Sequence, residues 1–198
     1  SQLLQAEAMR CGVEHFRRNR GRCMGTVIWQ LNDCWPAASW SSIDYFGRWK
    51  ALHYFEKRFF APLLLSCSEE STLTQDPNVN AQPYELHKSI TLCASNETLM
   101  EKQVGISWEL RDAGAGILRS GNYEISLPPL SSVWMDKVDL PEADIYENYV
   151  SYRMEENGNV CSRGTVLFCA PKYFHFRAPG LRVEREGDEL VITVGCYA

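Results

Sequence analysis

The segment Gly25–Phe60 reads GTVIWQLNDCWPAASWSSIDYFGRWKALHYFEKRFF, in which a short apolar run, a polar aromatic loop and an aromatic helix follow one another. Thr26–Leu31 is uncharged and rich in β-branched and apolar residues, which predicts a strand buried on both faces, as in a parallel sheet. Asn32 and Asp33 are turn formers, and Pro36 restricts the residue before it to extended conformations. We therefore predict that the chain leaves the sheet at this point.

The loop after this strand combines aromatic rings with polar side chains. Three tryptophans, Trp29, Trp35 and Trp40, lie within twelve positions and are interspersed with amide, carboxylate and hydroxyl groups. The C–H face of a sugar stacks on an aromatic ring, while its hydroxyl groups need hydrogen-bond partners. The combination is typical of a sugar-binding loop. The residues alone leave a second interpretation open, in which the tryptophans pack beneath the loop.

The run Trp29–Pro62 resembles the end of the catalytic barrel in β-mannosidases of glycoside hydrolase family 2. Three later segments resemble the region after the barrel in those enzymes: Leu110–Asp112, Pro129–Ser132 and Ala170–Phe174. Exo-glucosaminidases of the same family resemble this run as well, but they carry a Trp-Met-Leu-Asn type of strand end where this chain has Trp29–Asp33. The resemblance therefore spans most of the chain and favours the β-mannosidases.

The resemblance implies a retaining, exo-acting β-mannosidase that removes terminal β-D-mannose residues from β-mannosides without a cofactor. It places both catalytic glutamates on earlier barrel strands, so this chain would hold no catalytic residue and would be inactive alone. The upstream remainder of its own barrel would be its partner. Trp29 would be the platform on which the sugar stacks. Four further residues would bind the sugar, shape the loop or frame the pocket: Asn32, Asp33, Trp35 and Trp40.

We expect an α+β composite fold. Apolar spacing predicts helices over Leu3–Asn19 and Arg48–Phe60, and a helix, a strand and a helix form the repeating unit of a β/α barrel. The resemblance identifies residues 1–62 as the last helix-strand-helix portion of a TIM (β/α)8 barrel. Residues 63–170 are expected to form an immunoglobulin-like β sandwich. Residues 171–198 would begin another small β domain, with a hairpin-like pair of strands.

The sandwich prediction rests on the alternation of apolar residues with small or polar ones at every second position. Strands are predicted at Ile90–Ala94, Val104–Leu110, Tyr123–Leu127, Tyr146–Met154 and Thr165–Cys169. The side chains expected mainly inside are Ile106, Trp108, Leu110, Ile125 and Leu127. We also expect Trp134 in the core, because it follows a Leu-Ser-Ser turn, and an exposed polar loop over Glu69–Gln82.

Asp33 and Asp44 do not qualify as a catalytic pair. A retaining glycosidase uses two carboxyl groups about 5 to 5.5 Å apart, whereas an Asp in a turn after a strand usually caps or orients the chain. Arginines gather toward the end of the first predicted helix and could suggest a phosphate-binding patch. Because Glu7 and Glu14 lie among them, we interpret these arginines as a solvated face; they are Arg10, Arg17, Arg18, Arg20 and Arg22.

Composition excludes several classes of protein. The 198 residues are 45% apolar and 23% charged, which is ordinary for a soluble globular protein of one or two domains. A net charge of −5 argues against a nucleic-acid binder. No apolar run approaches the roughly 18 to 20 residues that span a bilayer, so no membrane association is expected. The sequence does not begin with methionine, and we expect that it begins inside a longer protein.

The eight cysteines are scattered and form no Cys-x-x-Cys pair, which favours free thiols over a metal or redox site. They are Cys11, Cys23, Cys34, Cys67, Cys93, Cys161, Cys169 and Cys196. Free thiols favour a cytoplasmic location. His53 has no second ligand at suitable spacing, so it is predicted to pack or to form hydrogen bonds, and no metal site is expected.

Two other functions stay open. One is a non-enzymatic carbohydrate-binding or scaffold module centred on the sandwich, and the other is a different family 2 exo-glycosidase. Trp108 bears on the first of these, because an open, solvated Trp108 would favour a glycan-binding sandwich. Its position in an alternating strand predicts instead that it is buried.

Overall fold

The computed structural model describes residues 2–75 and 86–197. Two helices come first, α1 (Gln2–Arg18) and α2 (Ala51–Phe59). The strands come next in the order β1 (Leu63–Glu70), β2 (Ser89–Asn96), β3 (Lys102–Asp112), β4 (Ile117–Leu127), β5 (Ser131–Trp134), β6 (Val138–Asp139), β7 (Asn148–Glu156), β8 (Asn159–Leu167), β9 (Arg182–Glu186) and β10 (Glu189–Thr193). A short 3₁₀ helix, Pro171–Tyr173, precedes the last two strands.

Strands β1 to β8 form two antiparallel sheets that enclose one core. In the first sheet β2 is central, with β1 on one side and both β5 and β6 on the other. The second sheet has the order β4-β3-β7-β8. Both sheets bury large apolar side chains in a common cluster, for example Leu65 and Leu92 from the first and Ile106, Leu110 and Met154 from the second. This is the packing of a β sandwich.

Hydrogen bonds join the two sheets along one edge, where β1 lies beside β8. The backbone N–H of Leu65 donates to Ser162 Oγ at 2.9 Å. Beyond the end of β1, the backbone N–H and the hydroxyl of Thr72 both donate to the carbonyl of Phe168, at 3.2 and 2.9 Å. These bonds satisfy polar groups that an open sheet edge would otherwise leave unpaired.

The predicted helices and sandwich strands are present, with boundaries shifted by a few residues, and a hairpin of β9 and β10 closes the described chain. Ile106, Trp108, Leu110 and Leu127 are buried, and Ile125 packs against the same cluster. The predicted loop Glu69–Gln82 agrees only in part. Its first two residues belong to β1, residues 71–75 form turns and bends, and residues 76–82 lie outside the described ranges.

The prediction for Trp134 was wrong, since its side chain is 45% exposed. Successive residues of a strand point to opposite faces. In β5, Val133 packs against the core, so the next side chain points away from it. The turn before β5 correctly indicated a strand but could not indicate which of its residues faces inward.

Thr26–Leu31 was predicted to be a buried strand, and it is not one in the structure. Within the described residues no ladder of backbone hydrogen bonds forms along this segment, because it has no neighbouring strand to pair with. Its side chains still alternate. Ile28 packs against the cluster between α1 and α2, whereas Val27 and Trp29 are 90% and 71% exposed. One side of the segment is therefore anchored on the helices and the other is open.

The interpretation of the arginines as a solvated face was wrong for three of the five, whose side chains are largely covered where the helices meet the sandwich. The Arg17 side chain is only 9% exposed and donates to the carbonyls of Phe59 and Ala61, at 2.6 and 2.7 Å. Arg18 donates to a carbonyl of β1 at 3.2 Å, and Arg20 pairs with Glu97 of the loop between β2 and β3. The sequence did not indicate these contacts, because each partner lies more than 40 positions away.

Gly121 tests the packing of the sandwich. It lies opposite Trp108 in the pairing of β3 with β4, and a Cβ at this position would come within 2.5 Å of Trp108 Nε1. The indole is rigid and buried, so Gly121→Ala is expected to destabilise the chain by about 1–3 kcal/mol. Urea denaturation measures this free energy of unfolding.

The matched control is Gly12→Ala in the interior of α1, where a Cβ would meet nothing within 4 Å. Removing a glycine from a helix is expected to stabilise the chain by about 0.5–1 kcal/mol. Equal, small effects of the two substitutions would contradict the tight approach of Gly121 to Trp108.

Candidate functional site

The aromatic loop, residues 29–42, is closed at its base by backbone hydrogen bonds. The N–H of Ser42 donates to the carbonyl of Gln30 at 3.1 Å, and the N–H of Ile43 donates to that of Leu31 at 2.8 Å. In the other direction, the N–H of Asp33 donates to the carbonyl of Ile43 at 3.1 Å. The loop therefore leaves and returns at one place. The peptide bond between Trp29 and Gln30 is cis.

The three tryptophans of the loop are exposed. Trp29 and Trp35 are each 71% exposed and Trp40 is 63% exposed. Asn32 is exposed as well, and its side-chain amide makes only a long contact, 3.4 Å, with the carbonyl of Asp33. Flat rings beside an amide whose donors are available to a ligand can stack on a sugar and bind its hydroxyl groups. In the described chain these rings are not packing residues beneath the loop.

Asp33 differs from the other predicted site residues, because it is only 7% exposed and points into the protein. Ser39 Oγ donates a short hydrogen bond to Asp33 Oδ1, and Lys50 Nζ lies 3.1 Å from Asp33 Oδ2. The hydrogen bond from Ser39 is the main cause that lowers the pKa of Asp33, and Ser41 and Lys50 lower it further. Asp33 is thus held ionised and shapes the loop.

Asp44 also organises backbone. Its Oδ1 accepts hydrogen bonds from the backbone N–H groups of Phe46 and Arg48, each at 2.9 Å, and its Oδ2 accepts one from Arg48 Nε at 2.6 Å. Burial raises the pKa of Asp44, but the hydrogen bonds from Arg48 and Phe46 outweigh it and lower the pKa. The prediction that Asp33 and Asp44 orient the chain is therefore confirmed by their contacts.

His53 forms hydrogen bonds, as predicted. Its Nδ1 lies 3.1 Å from Glu56 Oε2 and 3.4 Å from Ser42 Oγ, and its ring packs on Trp49 with centroids 4.6 Å apart. Within residues 2–75 and 86–197, no three His, Cys, Asp or Glu side chains lie together in a way that could hold a metal ion. All eight cysteines lie in those ranges and are free. Neither described helix is both long and apolar enough to cross a membrane.

Lys50 is the important residue that sequence reasoning missed. Its side chain is 11% exposed, and its ammonium contacts Asp33, Ser39 and Ser41 together. These partners lie 9 to 17 positions away along the chain, which matches neither helical nor strand spacing. The only signal in the sequence was the presence of a single lysine directly before an apolar aromatic helix.

A separate cleft of about 1200 Å³ lies between the helices and the second sheet of the sandwich. None of the five predicted sugar-binding residues lines it. Its walls carry six basic side chains: Arg10, Lys57, Arg58, Arg111, Arg153 and Arg163. Several of these are neutralised by carboxylates in the same region, such as the pair of Arg111 with Glu109. The cleft is thus lined by many polar side chains and is separate from the aromatic loop.

Several known proteins resemble this chain in sequence. Residues 88–173 match the family model described as a mannosidase Ig/CBM-like domain. The β-mannosidase of Capra hircus is 51% identical over 71 residues, which cover 32% of this chain and 8% of that protein. β-Mannosidase B of Aspergillus niger is 29% identical over 197 residues, which cover 95% of this chain and 23% of that protein. The chain is thus similar to β-mannosidases over nearly its whole length.

A solved structure has a similar fold. The crystal structure of a β-D-mannosidase from Dictyoglomus thermophilum superposes with a TM-score of 0.76 and 24% identity, over 98% of this chain and 23% of that chain. At this identity the likeness establishes the fold alone. The present chain thus spans about a quarter or less of the length of the β-mannosidases that it matches.

The environment of Asp33 leads to a pH prediction. Because its pKa is lowered in the folded chain, its contribution to stability is complete above about pH 4, the ordinary pKa of Asp in an unfolded chain. The contribution is lost as the pH falls through the lower pKa of the folded state. Ser39→Ala removes the main cause and should raise the pKa of Asp33, measured by NMR titration of its carboxyl carbon.

Ser131→Ala is the control, because that hydroxyl donates to the Pro128 carbonyl in the sandwich. It should leave the titration of Asp33 unchanged. A pKa of Asp33 that is unaffected by Ser39→Ala would contradict the assigned hydrogen bond.

Proposed function

We propose that the full-length protein is a retaining, exo-acting β-mannosidase and that this chain supplies one wall of its sugar site. The observation that carries the proposal is the aromatic loop, in which three exposed tryptophans and Asn32 stand on an anchored base. Such a loop in a chain that is similar to β-mannosidases is suited to a terminal β-D-mannose residue, since rings and polar groups together bind a pyranose.

The orientation of Trp29 supports a place for it inside a barrel. In a β/α barrel the strands carry helices outside, and alternate side chains point inward. Ile28 packs on the helices, which makes that side the outer one. Val27, Trp29 and Leu31 then face the interior, where the catalytic site opens at the C-terminal ends of the strands. We therefore assign residues 1–62 to the last helix-strand-helix portion of a TIM barrel, with Trp29 as the stacking platform.

The same assignment defines the remaining parts of the chain. Residues 63–170 would form the immunoglobulin-like domain behind the barrel, and residues 171–198 would begin a further β domain. The partner that completes the site would be the upstream barrel of the same protein, and the exposed Val27 and Leu31 give it an apolar surface to cover. A cytoplasmic location stays a prediction.

The chemistry is proposed to lie on two glutamates elsewhere in the full-length protein. Retaining hydrolysis needs a nucleophile and an acid/base, both free to reach the sugar. Asp33 and Asp44 are instead occupied by Lys50, Arg48 and backbone donors. In this proposal the chain contributes binding and positioning but no catalytic residue.

A carbohydrate-binding sandwich is the second candidate, favoured only by the exposure of Trp134. Trp108, the other tryptophan considered for it, is 4% exposed and belongs to the core. One exposed ring on an edge strand makes a small platform compared with the three rings of the aromatic loop. A pull-down of this chain on immobilised mannan separates the candidates, since binding abolished by Trp134→Ala and not by Trp29→Ala would favour the sandwich.

Trp29→Ala in the full-length protein is the main test. Stacking on the flattened, oxocarbenium-like sugar would strengthen in the transition state, so the substitution should lower kcat as well as raise KM. The loss in kcat/KM is expected to be about 10- to 100-fold with p-nitrophenyl β-D-mannoside. Thermal unfolding of the same variant should change little, because the ring is exposed in this chain.

Two tryptophan controls accompany this test. Trp134→Ala should leave kinetics and stability nearly unchanged, whereas Trp108→Ala should cost about 3–5 kcal/mol of stability as a truncated core residue. A folded Trp29→Ala enzyme with near-normal kcat/KM would refute the role of Trp29.

The chain by itself should not hydrolyse p-nitrophenyl β-D-mannoside, since we place both catalytic glutamates outside it. The measurement is the release of p-nitrophenol by the purified chain. Turnover that disappears on changing Asp33 or Asp44 to Ala would show that the chemistry has been placed in the wrong part of the protein.

A further inference from the structure

Lys50 stands at the point where the aromatic loop meets α2. It directly precedes the first residue of the helix, and its backbone N–H donates to the carbonyl of Ser42 at 2.9 Å. Its side chain turns back under the loop. Nζ lies 2.7 Å from Ser41 Oγ, 3.1 Å from Asp33 Oδ2, 3.2 Å from Ser39 Oγ and 3.5 Å from the Ser39 carbonyl.

These contacts join both ends of the loop to one cation. Asp33 lies near the start of the loop and Ser39 and Ser41 lie near its end, so the segment between them is fixed at both sides. Trp35 lies inside that segment, and Trp40 lies between the two serines that contact Lys50. The rings project outward while the polar groups that hold the loop point inward.

The charges explain why the cation is needed. Asp33 and Lys50 have side chains that are only 5% and 11% exposed. A buried carboxylate that loses its cationic partner is strongly destabilised, and the surrounding chain then rearranges to bring it to water. Serine hydroxyl groups cannot replace the charge, because they are neutral. Without Lys50 we therefore expect the loop to open, beginning with the contacts of Asp33.

We propose that Lys50 is a positioning residue that fixes Trp35 and Trp40 before the sugar arrives, with Asp33 as its counter-ion and not as a ligand of the sugar. The proposal rests on the sugar-binding role proposed above for the aromatic loop. A preformed loop reduces the unfavourable entropy of ordering the side chains when the sugar binds. The effect of Lys50 is thus expected mainly in KM, because preformed framing rings bind ground state and transition state alike.

The experiment compares Lys50→Met with Lys50→Arg and with a matched control, Lys57→Met, which changes an exposed lysine of α2. In the full-length protein, Lys50→Met should raise KM for p-nitrophenyl β-D-mannoside about 10-fold or more, with a smaller change in kcat. Lys50→Arg keeps the charge and should recover part of the loss. Lys57→Met should behave as wild type.

A second measurement uses this chain alone and needs no substrate. Hydrogen exchange of the backbone amides in residues 32–42 should accelerate in Lys50→Met, recover in part in Lys50→Arg and stay unchanged in Lys57→Met. If Lys50→Met fails to fold, Ser41→Ala removes the 2.7 Å contact with a smaller perturbation and should change KM and exchange in the same direction.

The outcomes separate the two proposals. Wild-type protein without β-mannoside hydrolysis would refute the proposed function, while faster exchange in Lys50→Met would still support Lys50 as the residue that orders the loop. Active wild-type protein, with KM and exchange both unchanged in a folded Lys50→Met variant, would overturn the positioning role. A Lys50→Met variant that melts early but keeps its KM while folded would also overturn it.

Discussion

The arrangement of the chain depends on the hydrogen bonds that the guanidinium of Arg17 donates. A helix leaves its last carbonyl groups without partners, and Arg17 of α1 binds one at the end of α2, that of Phe59, together with the carbonyl of Ala61 just beyond it. The Arg17 carbonyl in turn accepts a hydrogen bond from Ser132 of the sandwich at 2.8 Å. One residue therefore joins both helices and the first sheet.

This junction reaches the aromatic loop through α2. The helix is nine residues long and rigid, and Arg17 holds the chain at its C-terminal end. Lys50 stands at the other end and holds the loop. Two largely covered cations, one at each end of α2, thus fix the position of the tryptophans relative to the sandwich. Each cation has an acidic group nearby, Glu97 for Arg17 and Asp33 for Lys50, which limits the cost of removing charge from water.

Three exposed apolar residues lie on the same side of the segment Thr26–Leu31. Val27, Trp29 and Leu31 lie on the side of the segment opposite Ile28, which packs on the helices, and the segment has no strand beside it in the described chain. A contiguous apolar face of this kind marks a binding or assembly surface. The sandwich shows the contrasting case, because hydrogen bonds close its edge between β1 and β8 and just beyond the ends of those strands.

The sequence by itself determined the elements with a short repeat. The apolar spacing of α1, the alternation in β2, β3 and β4, and the hairpin of β9 and β10 all depend on neighbours two to four positions apart, and these are properties that a sequence displays directly. The run of residues from Trp29 to Pro62 likewise shows a resemblance to the β-mannosidases.

Only the tertiary structure decided how these elements are held together. Burial of Arg17, the pairing of Lys50 with Asp33, the outward side of Trp134 and the absence of strand pairing at Thr26–Leu31 within the described residues depend on partners distant in sequence. Local pattern indicates which residues are apolar or charged, but not which other part of the chain will lie against them. That choice is made by packing and by the need of every buried charge to find a counter-charge or a carbonyl group.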